Sequence, residues 1–246
     1  MSGIEHKIIP WPRMAVGGGF NDGPDWPGSG HGPRWRGMRI LAFASYNEGS
    51  GKTTLAAQTA VQAEIAGAGP VAILDTDPEG SLAGWWNGRQ EEFPAFAHTF
   101  VSRISEDLSR LHELGIKTCI VDTPPAITTT IEHVVEAVDI VVIPCRPSPH
   151  DLRGAGATVE LVERLGGRFM FVINAATPRA RITAEAAIAL SQYSTLAPVT
   201  IHHHTGLAES MADGRTVIEI DHSCDAAREI IDLWQYFDEC LKRIHA

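Results

Sequence analysis

The octapeptide Asn47-Glu48-Gly49-Ser50-Gly51-Lys52-Thr53-Thr54 stands between an apolar run and a stretch of helical periodicity. Its glycines let backbone N–H groups turn inward around phosphate oxygens, and the N-terminus of the following helix adds favourable partial charge. In that setting the Lys52 ammonium reaches β- and γ-phosphates, and the Thr53 hydroxyl ligates Mg²⁺. The general pattern G-x-x-x-x-G-K-S/T has Tyr46 where its first glycine belongs, so the match rests on the strand before and the helix after. Glu48, Gly49, Ser50, Gly51, Lys52, Thr53 and Thr54 are the expected phosphate cradle.

Two acidic segments follow in order. Asp75-Thr76-Asp77-Pro78-Glu79-Gly80 closes one apolar run, and carboxylates at the carboxyl end of a parallel strand face the crevice where such sheets bind ligands. Asp77 is a candidate for orienting an attacking water, and Asp75 for holding the magnesium shell. Cys119-Ile120-Val121-Asp122-Thr123-Pro124-Pro125 is an apolar strand ending in a carboxylate, a pattern that holds Mg²⁺, usually through water. Read together, the three segments imply ATP with Mg²⁺ as cofactors, with Lys52 and Asp77 catalytic and Thr53, Asp75 and Asp122 on the metal.

These residues need a scaffold that presents successive strand ends on one rim. The runs MRILAFA, PVAILD, KTCIVD, DIVVIP and RFMFVIN are short, rich in Val and Ile and nearly continuous, as parallel strands covered on both faces are. Helical stretches such as TTLAAQTAVQAEIAG and HDLRGAGATVELVERLG separate them and are long enough for crossovers. The expected fold is α/β: a doubly wound, mostly parallel sheet with helices on both faces. Ile230, Trp234, Phe237, Leu241 and Ile244 recur every three or four residues and describe a closing amphipathic helix. Residues 1–37, crowded with Gly and Pro, read as a flexible tail or a misassigned start before Met38, leaving 38–246 as one domain.

A formal net charge of −10 argues against an all-over basic surface, so any nucleic-acid contact must come from clustered arginines. Arg146, Arg153, Arg179, Arg181 and Arg215 are the candidates. Cys119, Cys145, Cys224 and Cys240 lack C-x-x-C spacing and read as small hydrophobes in a reducing cytoplasm. No apolar stretch approaches the roughly 20 residues that span a bilayer, and no signal-peptide core is visible, so a cytoplasmic protein is expected. His202, His203 and His204 are consecutive; adjacent side chains of an extended segment alternate faces, so the three cannot all meet one ion.

From Met38 onward the chain resembles the ParA/MinD family of P-loop ATPases, through GSGKTT, DTDPEGS, VDTPP, VDIVVIPCRPSPHDL, FVINAATPRARITAEA and ESMADGRTVIEID. The resemblance implies that Asp77 polarises the hydrolytic water, that Asp122 belongs to the magnesium site and that Asn174 contacts adenine. It implies an ATP-held homodimer, nonspecific DNA on the nucleoid and a ParB-like or other cargo adaptor as partners. One departure stands out: the family's loop begins Lys-Gly-Gly, its lysine crossing to the partner's nucleotide, and here Asn47-Glu48-Gly49 replaces it. Either another cation such as Arg146 serves instead, or hydrolysis is slow and the protein is chiefly an ATP-held switch, which is the expectation. A MinD-like membrane ATPase would want a basic closing helix, but Asp232, Asp238 and Glu239 accompany Lys242 and Arg243. An iron–sulfur reductase would need paired cysteines where Cys145 stands alone. A metabolic ligase on the same scaffold and a non-hydrolysing relative complete the alternatives.

Overall fold

Strand and helix alternate through the computed structural model, which describes residues 35–125 and 129–246. The strands are β1 (Arg39–Phe43), β2 (Val71–Asp75), β3 (Ala95–His98), β4 (Thr118–Asp122), β5 (Ile140–Cys145), β6 (Phe169–Ala176) and β7 (Leu196–His202). They form one seven-stranded sheet in the order β3-β2-β4-β1-β5-β6-β7, and every pairing is parallel. The five strands expected from apolar runs are β1, β2, β4, β5 and β6. β3 and β7 were not expected, because edge strands are covered less: β3 has no fully buried residue and β7 only two. Neither therefore carries a continuous Val/Ile run.

The helices are α1 (Lys52–Ile65), α2 (Ser81–Asn87), α3 (Ile104–Glu113), α4 (Thr129–Ala137), α5 (Pro149–Arg164), α6 (Arg181–Ser191), α7 (Thr205–Ser210), α8 (Val217–Ile220) and α9 (Asp225–His245). Alternation along each strand sorts the core into two layers. Leu41, Phe43, Ile73, Ile120 and Val142 pack with α1 and α9 on one face. On the other, Ile40, Ala42, Leu74 and Val121 meet α3 and α4, and Val141, Ile143 and Phe171 meet α5. The closing helix is α9, with Ile230, Trp234, Phe237 and Leu241 buried and Ile244 half-buried.

Of the expected tail, residues 1–34 lie outside the described residues. Trp35 turns onto the domain, its indole Nε1 donating to the Ala137 carbonyl at 3.3 Å. Cys119, Cys145 and Cys240 are buried free thiols. Cys224 Sγ accepts the Ala227 N–H at 3.4 Å at the start of α9.

Candidate nucleotide site

Register brings the motif residues together. Phe43, the last residue of β1, pairs with Asp122 of β4, which in turn pairs with Asp75 of β2. Two threonines staple these strand ends: Thr76 Oγ1 donates to the Asp122 carbonyl at 2.7 Å and Thr123 Oγ1 to the Phe43 carbonyl at 2.8 Å. Both threonines escaped the sequence reading, although each follows a motif aspartate directly.

Beyond β1 the chain makes a loop over this rim and enters α1. Gly49 and Gly51 have φ of 64° and 96°, conformations strained for residues with a Cβ. Gly51 has a second reason to be glycine, since a Cβ there would collide with the Asn174 amide. That amide donates to the Ser50 carbonyl at 2.7 Å. Asn174, expected against adenine, thus braces the phosphate loop here.

Beneath the loop, Thr53 Oγ1 donates to Asp122 Oδ2 at 2.7 Å. Asp75 accepts the Asp77 N–H at 3.0 Å and the Ala83 N–H at 3.1 Å, while Asp77 Oδ1 accepts the Glu79 N–H at 3.0 Å. Lys52 is buried, its Nζ donating to the Asn47 carbonyl at 3.4 Å. Glu48 and Gly49 are exposed, and Thr54 is half-buried. Burial pushes the Asp122 carboxyl up to about 7; the Thr53 hydrogen bond and Lys52 oppose this, and Asp75 and Asp77 reinforce it. Burial also raises the Asp75 carboxyl, against N–H donors from Asp77 and Ala83. It lowers the Lys52 ammonium, against the pull of Asp122, Asp77 and Glu48.

Two buried polar atoms here, Ser50 Oγ and Asp122 Oδ1, have no hydrogen-bond partner in the protein. Orphaned polar atoms in a native fold call for a ligand, ion or water. A divalent cation beside Thr53 and Asp122, with phosphates in the loop, fits that donor set: the cation would favour the ionised carboxylate and the phosphates would meet the Lys52 charge. A groove of about 940 Å³ opens elsewhere, lined by Ile65, Arg89, Phe93 and Arg215 among others. It includes none of the residues expected to hold phosphate or metal.

Comparison with known proteins agrees with this fold. No family model matches the chain. It is 29% identical over 152 residues to Maintenance of carboxysome distribution protein A of Halothiobacillus neapolitanus, covering 58% of this chain and 69% of that protein. To the protein of the same name from Gloeobacter kilaueensis it is 36% identical over 129 residues, covering 51% and 56%. Among solved structures, an McdA variant of Cyanothece in complex with ATP superposes with a TM-score of 0.65 at 19% identity, over 82% of this chain and 97% of that one. The septum site-determining protein MinD of Pyrococcus horikoshii, complexed with Mg-ADP, gives 0.66 at 15% identity over 84% and 98%. The relatives by sequence and the neighbours by fold both support the ParA/MinD family of P-loop ATPases.

Asn47, which stands where the ParA/MinD pattern carries a lysine, is held against α5. It is buried, its amide donates to the Asp151 carbonyl at 3.0 Å, and it packs so closely on α5 that a Cβ at Gly154 would collide with it. Ser148 Oγ caps α5 by accepting the Asp151 N–H at 3.1 Å, with Pro149 in the first turn. Neither Asp151 nor Gly154 was singled out from sequence, because a buried amide's anchor has no motif. Arg146, which was singled out, does lie over the loop. Its Nε meets Asp151 Oδ1 at 3.1 Å, its Nη2 lies 3.4 Å from the Glu48 carbonyl, and its Nη1 lies 3.6 Å from where a Gly49 Cβ would be. Of the other arginines, Arg181 pairs with Glu185 and Arg215 with Asp213, while Arg153 and Arg179 are exposed.

Proposed function

We propose that residues 38–246 of this chain act as a ParA-type ATPase that binds ATP with Mg²⁺, dimerises around it and positions a cargo. The observation that carries the reading is the Thr53–Asp122 contact beneath a glycine loop, next to two orphaned oxygens. When bound, the cation offsets charge on the β- and γ-phosphates. Gly49, Ser50 and Gly51 offer backbone N–H groups, Lys52 holds the terminal phosphates, Thr53 and Asp122 hold the metal with Asp75 behind them, and Asp77 orients water. Thr54 and Glu48 complete the cradle.

Turnover is slow in this reading. Asn47 supplies no cation and faces α5, while Arg146 is engaged by Asp151 and the Glu48 carbonyl. The names of the two relatives point to a protein compartment as cargo, reached through an adaptor that stands where ParB stands in DNA partitioning. The protein works in the cytoplasm on the nucleoid, and nonspecific DNA is its track, gripped through Arg153 and Arg179 in the ATP-bound dimer. A membrane-anchored mode has less support. Among the described residues no helix is long and apolar enough to cross a membrane, and the apolar stripe of α9 is packed into the core.

Calorimetry and phosphate release test the site together. Lys52→Ala should weaken Mg-ATP binding by about 100-fold, on the order of 3 kcal/mol. Asp77→Ala should bind normally and stop releasing phosphate. Unchanged affinity in the first variant, or undiminished turnover in the second, overturns the assignment. DNA retention that is equal with ATP, with ADP and without nucleotide overturns the switch.

A further inference from the structure

The three histidines at the end of β7 alternate as an extended backbone requires. His203 is exposed, while His202 and His204 are half-buried on the same side. The two rings stand 6.3 Å apart at 77°, and Glu229 from α9 reaches between them. Its Oε1 lies 2.6 Å from His202 Nδ1 and its Oε2 lies 3.1 Å from His204 Nε2. One donor atom from each of the three residues falls within a 4.8 Å span. Among the described residues, no other group of three His, Cys, Asp or Glu side chains converges in this way.

We propose that His202, His204 and Glu229 bind a divalent transition metal of the zinc class. Two imidazoles and one carboxylate are a donor set for Zn²⁺, Co²⁺ or Ni²⁺, whereas Mg²⁺ and Ca²⁺ require oxygen throughout. Zinc takes such ligands at about 2.1 Å, so any two of them lie at most about 4.2 Å apart. The present span closes to that with shifts of under about 1 Å, within reach of ring rotation. Three protein ligands leave a fourth position for water.

The scaffold holds the site firmly. The His202 backbone N–H donates to Glu229 Oε2 at 2.9 Å and fixes the carboxylate from outside the ligand set, the arrangement that orients metal ligands elsewhere. Ile230, next to Glu229, is fully buried, and the His203 N–H donates to the Ala176 carbonyl at 2.9 Å, tying the β7 end to β6. Without metal, His202 Nδ1–H and His204 Nε2–H donate hydrogen bonds to Glu229. On binding, each proton passes through solvent to the other ring nitrogen, and the freed lone pairs take the ion. None of these residues belongs to the phosphate cradle, so the site stands or falls apart from the nucleotide reading.

Co²⁺ is the probe, because its d–d absorption reports inner-sphere ligation. The full chain, free of any affinity tag and of nucleotide, should bind one Co²⁺ and surrender it to Zn²⁺. His202→Ala and His204→Ala should each abolish the absorption, and Glu229→Gln should raise the Co²⁺ Kd at least about 10-fold. His203→Ala should change nothing, which separates the site from the chain's other histidines. Absorption that survives both alanine variants, or is missing from the wild type, overturns the proposal. Should an alanine variant lose its far-ultraviolet circular dichroism, His204→Gln decides: a folded protein without the band supports the site, and a folded protein with the band refutes it.

Discussion

Across β2, β4 and β1 the register runs without interruption, whereas between β6 and β7 it slips twice, around Phe171–Ile173 and Ile173–Ala176. On the regular side, residues that close successive strands must come level, so Asp75 and Asp122 meet by construction. On the slipped side, Ala175 takes a φ of 52° between Asn174 and Ala176, and a bulge of this kind bends the strand and redirects side chains. The regular half supplies the charges; the irregular half supplies the braces, with Asn174 on the phosphate loop and His203 tied back to Ala176. One rim is thus assembled by two different rules, strand register on one side and local bracing on the other.

Gly51→Ala attacks the point where the halves touch and should have the largest effect. The alanine must take a positive φ, costing about 1–2 kcal/mol, and its methyl must displace the Asn174 amide. Mg-ATP affinity should fall by at least about 100-fold, with a lower melting temperature. Asn174→Ala alone loses one hydrogen bond to Ser50, about 1 kcal/mol. The double variant should be milder than the sum, because the obstacle is gone. Strict additivity in calorimetry would mean that the halves are not coupled through this contact.

That division also explains what was legible beforehand. Asp75, Asp77 and Asp122 announce themselves because they close apolar runs, and Lys52 and Thr53 because a glycine loop carries them from one such run into a helix; in-register parallel strands convert chain position into spatial position. β3 and β7 did not, since edge strands lack the two-sided cover that writes a hydrophobic run. Asn47 was legible as a missing lysine, but its burial against Gly154 was not, for it depends on how α5 meets the loop. The pairing of His202 with His204 follows from strand alternation, yet nothing in the sequence points from them to Glu229, which lies 25 residues beyond His204, past α7 and α8.

Asp122→Asn probes the charge supply of the regular half. The folded carboxyl, raised to about 7, lies above its ordinary value of 3.8. In the metal-free wild type the stability that this group contributes therefore falls as pH rises between these values and no further beyond them. Asparagine keeps an acceptor for Thr53 and carries no charge. In chelator, the variant should match the wild type near pH 4 and exceed it by on the order of 2 to 4 kcal/mol at pH 8. With Mg-ATP the ranking should invert. Parallel stability curves across that pH range would show that Asp122 is not held against its charge.

Asn47→Lys and Arg146→Ala ask whether the rim also supplies a cation, from the loop after β1 or from the end of β5. A lysine at position 47 cannot remain against Gly154, so its ammonium must turn out into the crevice. Single-turnover hydrolysis should rise by about 10-fold, roughly 1.4 kcal/mol, with some loss of stability as the Asp151 contact goes. Arg146→Ala should leave the slow rate nearly unchanged. A collapse in Arg146→Ala by the factor of about 10³ or more that an arginine finger contributes would instead make Arg146 the cation at the phosphates.

The smallest effect tests the bulge itself. Ala175 is a half-buried, positive-φ alanine, and glycine relieves left-handed strain of about 1–2 kcal/mol. Against this stand the greater freedom of glycine in the unfolded chain, about 0.4–1 kcal/mol, and the loss of a partly buried methyl, a fraction of the about 0.8 kcal/mol that full burial brings. Ala175→Gly should therefore stabilise the protein by only about 0.5 kcal/mol, read from denaturant midpoints. Arg179 is the control: its φ is 59°, but it is exposed and outside the ladder, so Arg179→Gly loses no packed methyl and should gain slightly more. If Ala175→Gly instead destabilises and also loosens Mg-ATP binding, the alanine methyl is a packed part of the brace behind Asn174, and the slipped register is held by side-chain packing as well as by the backbone.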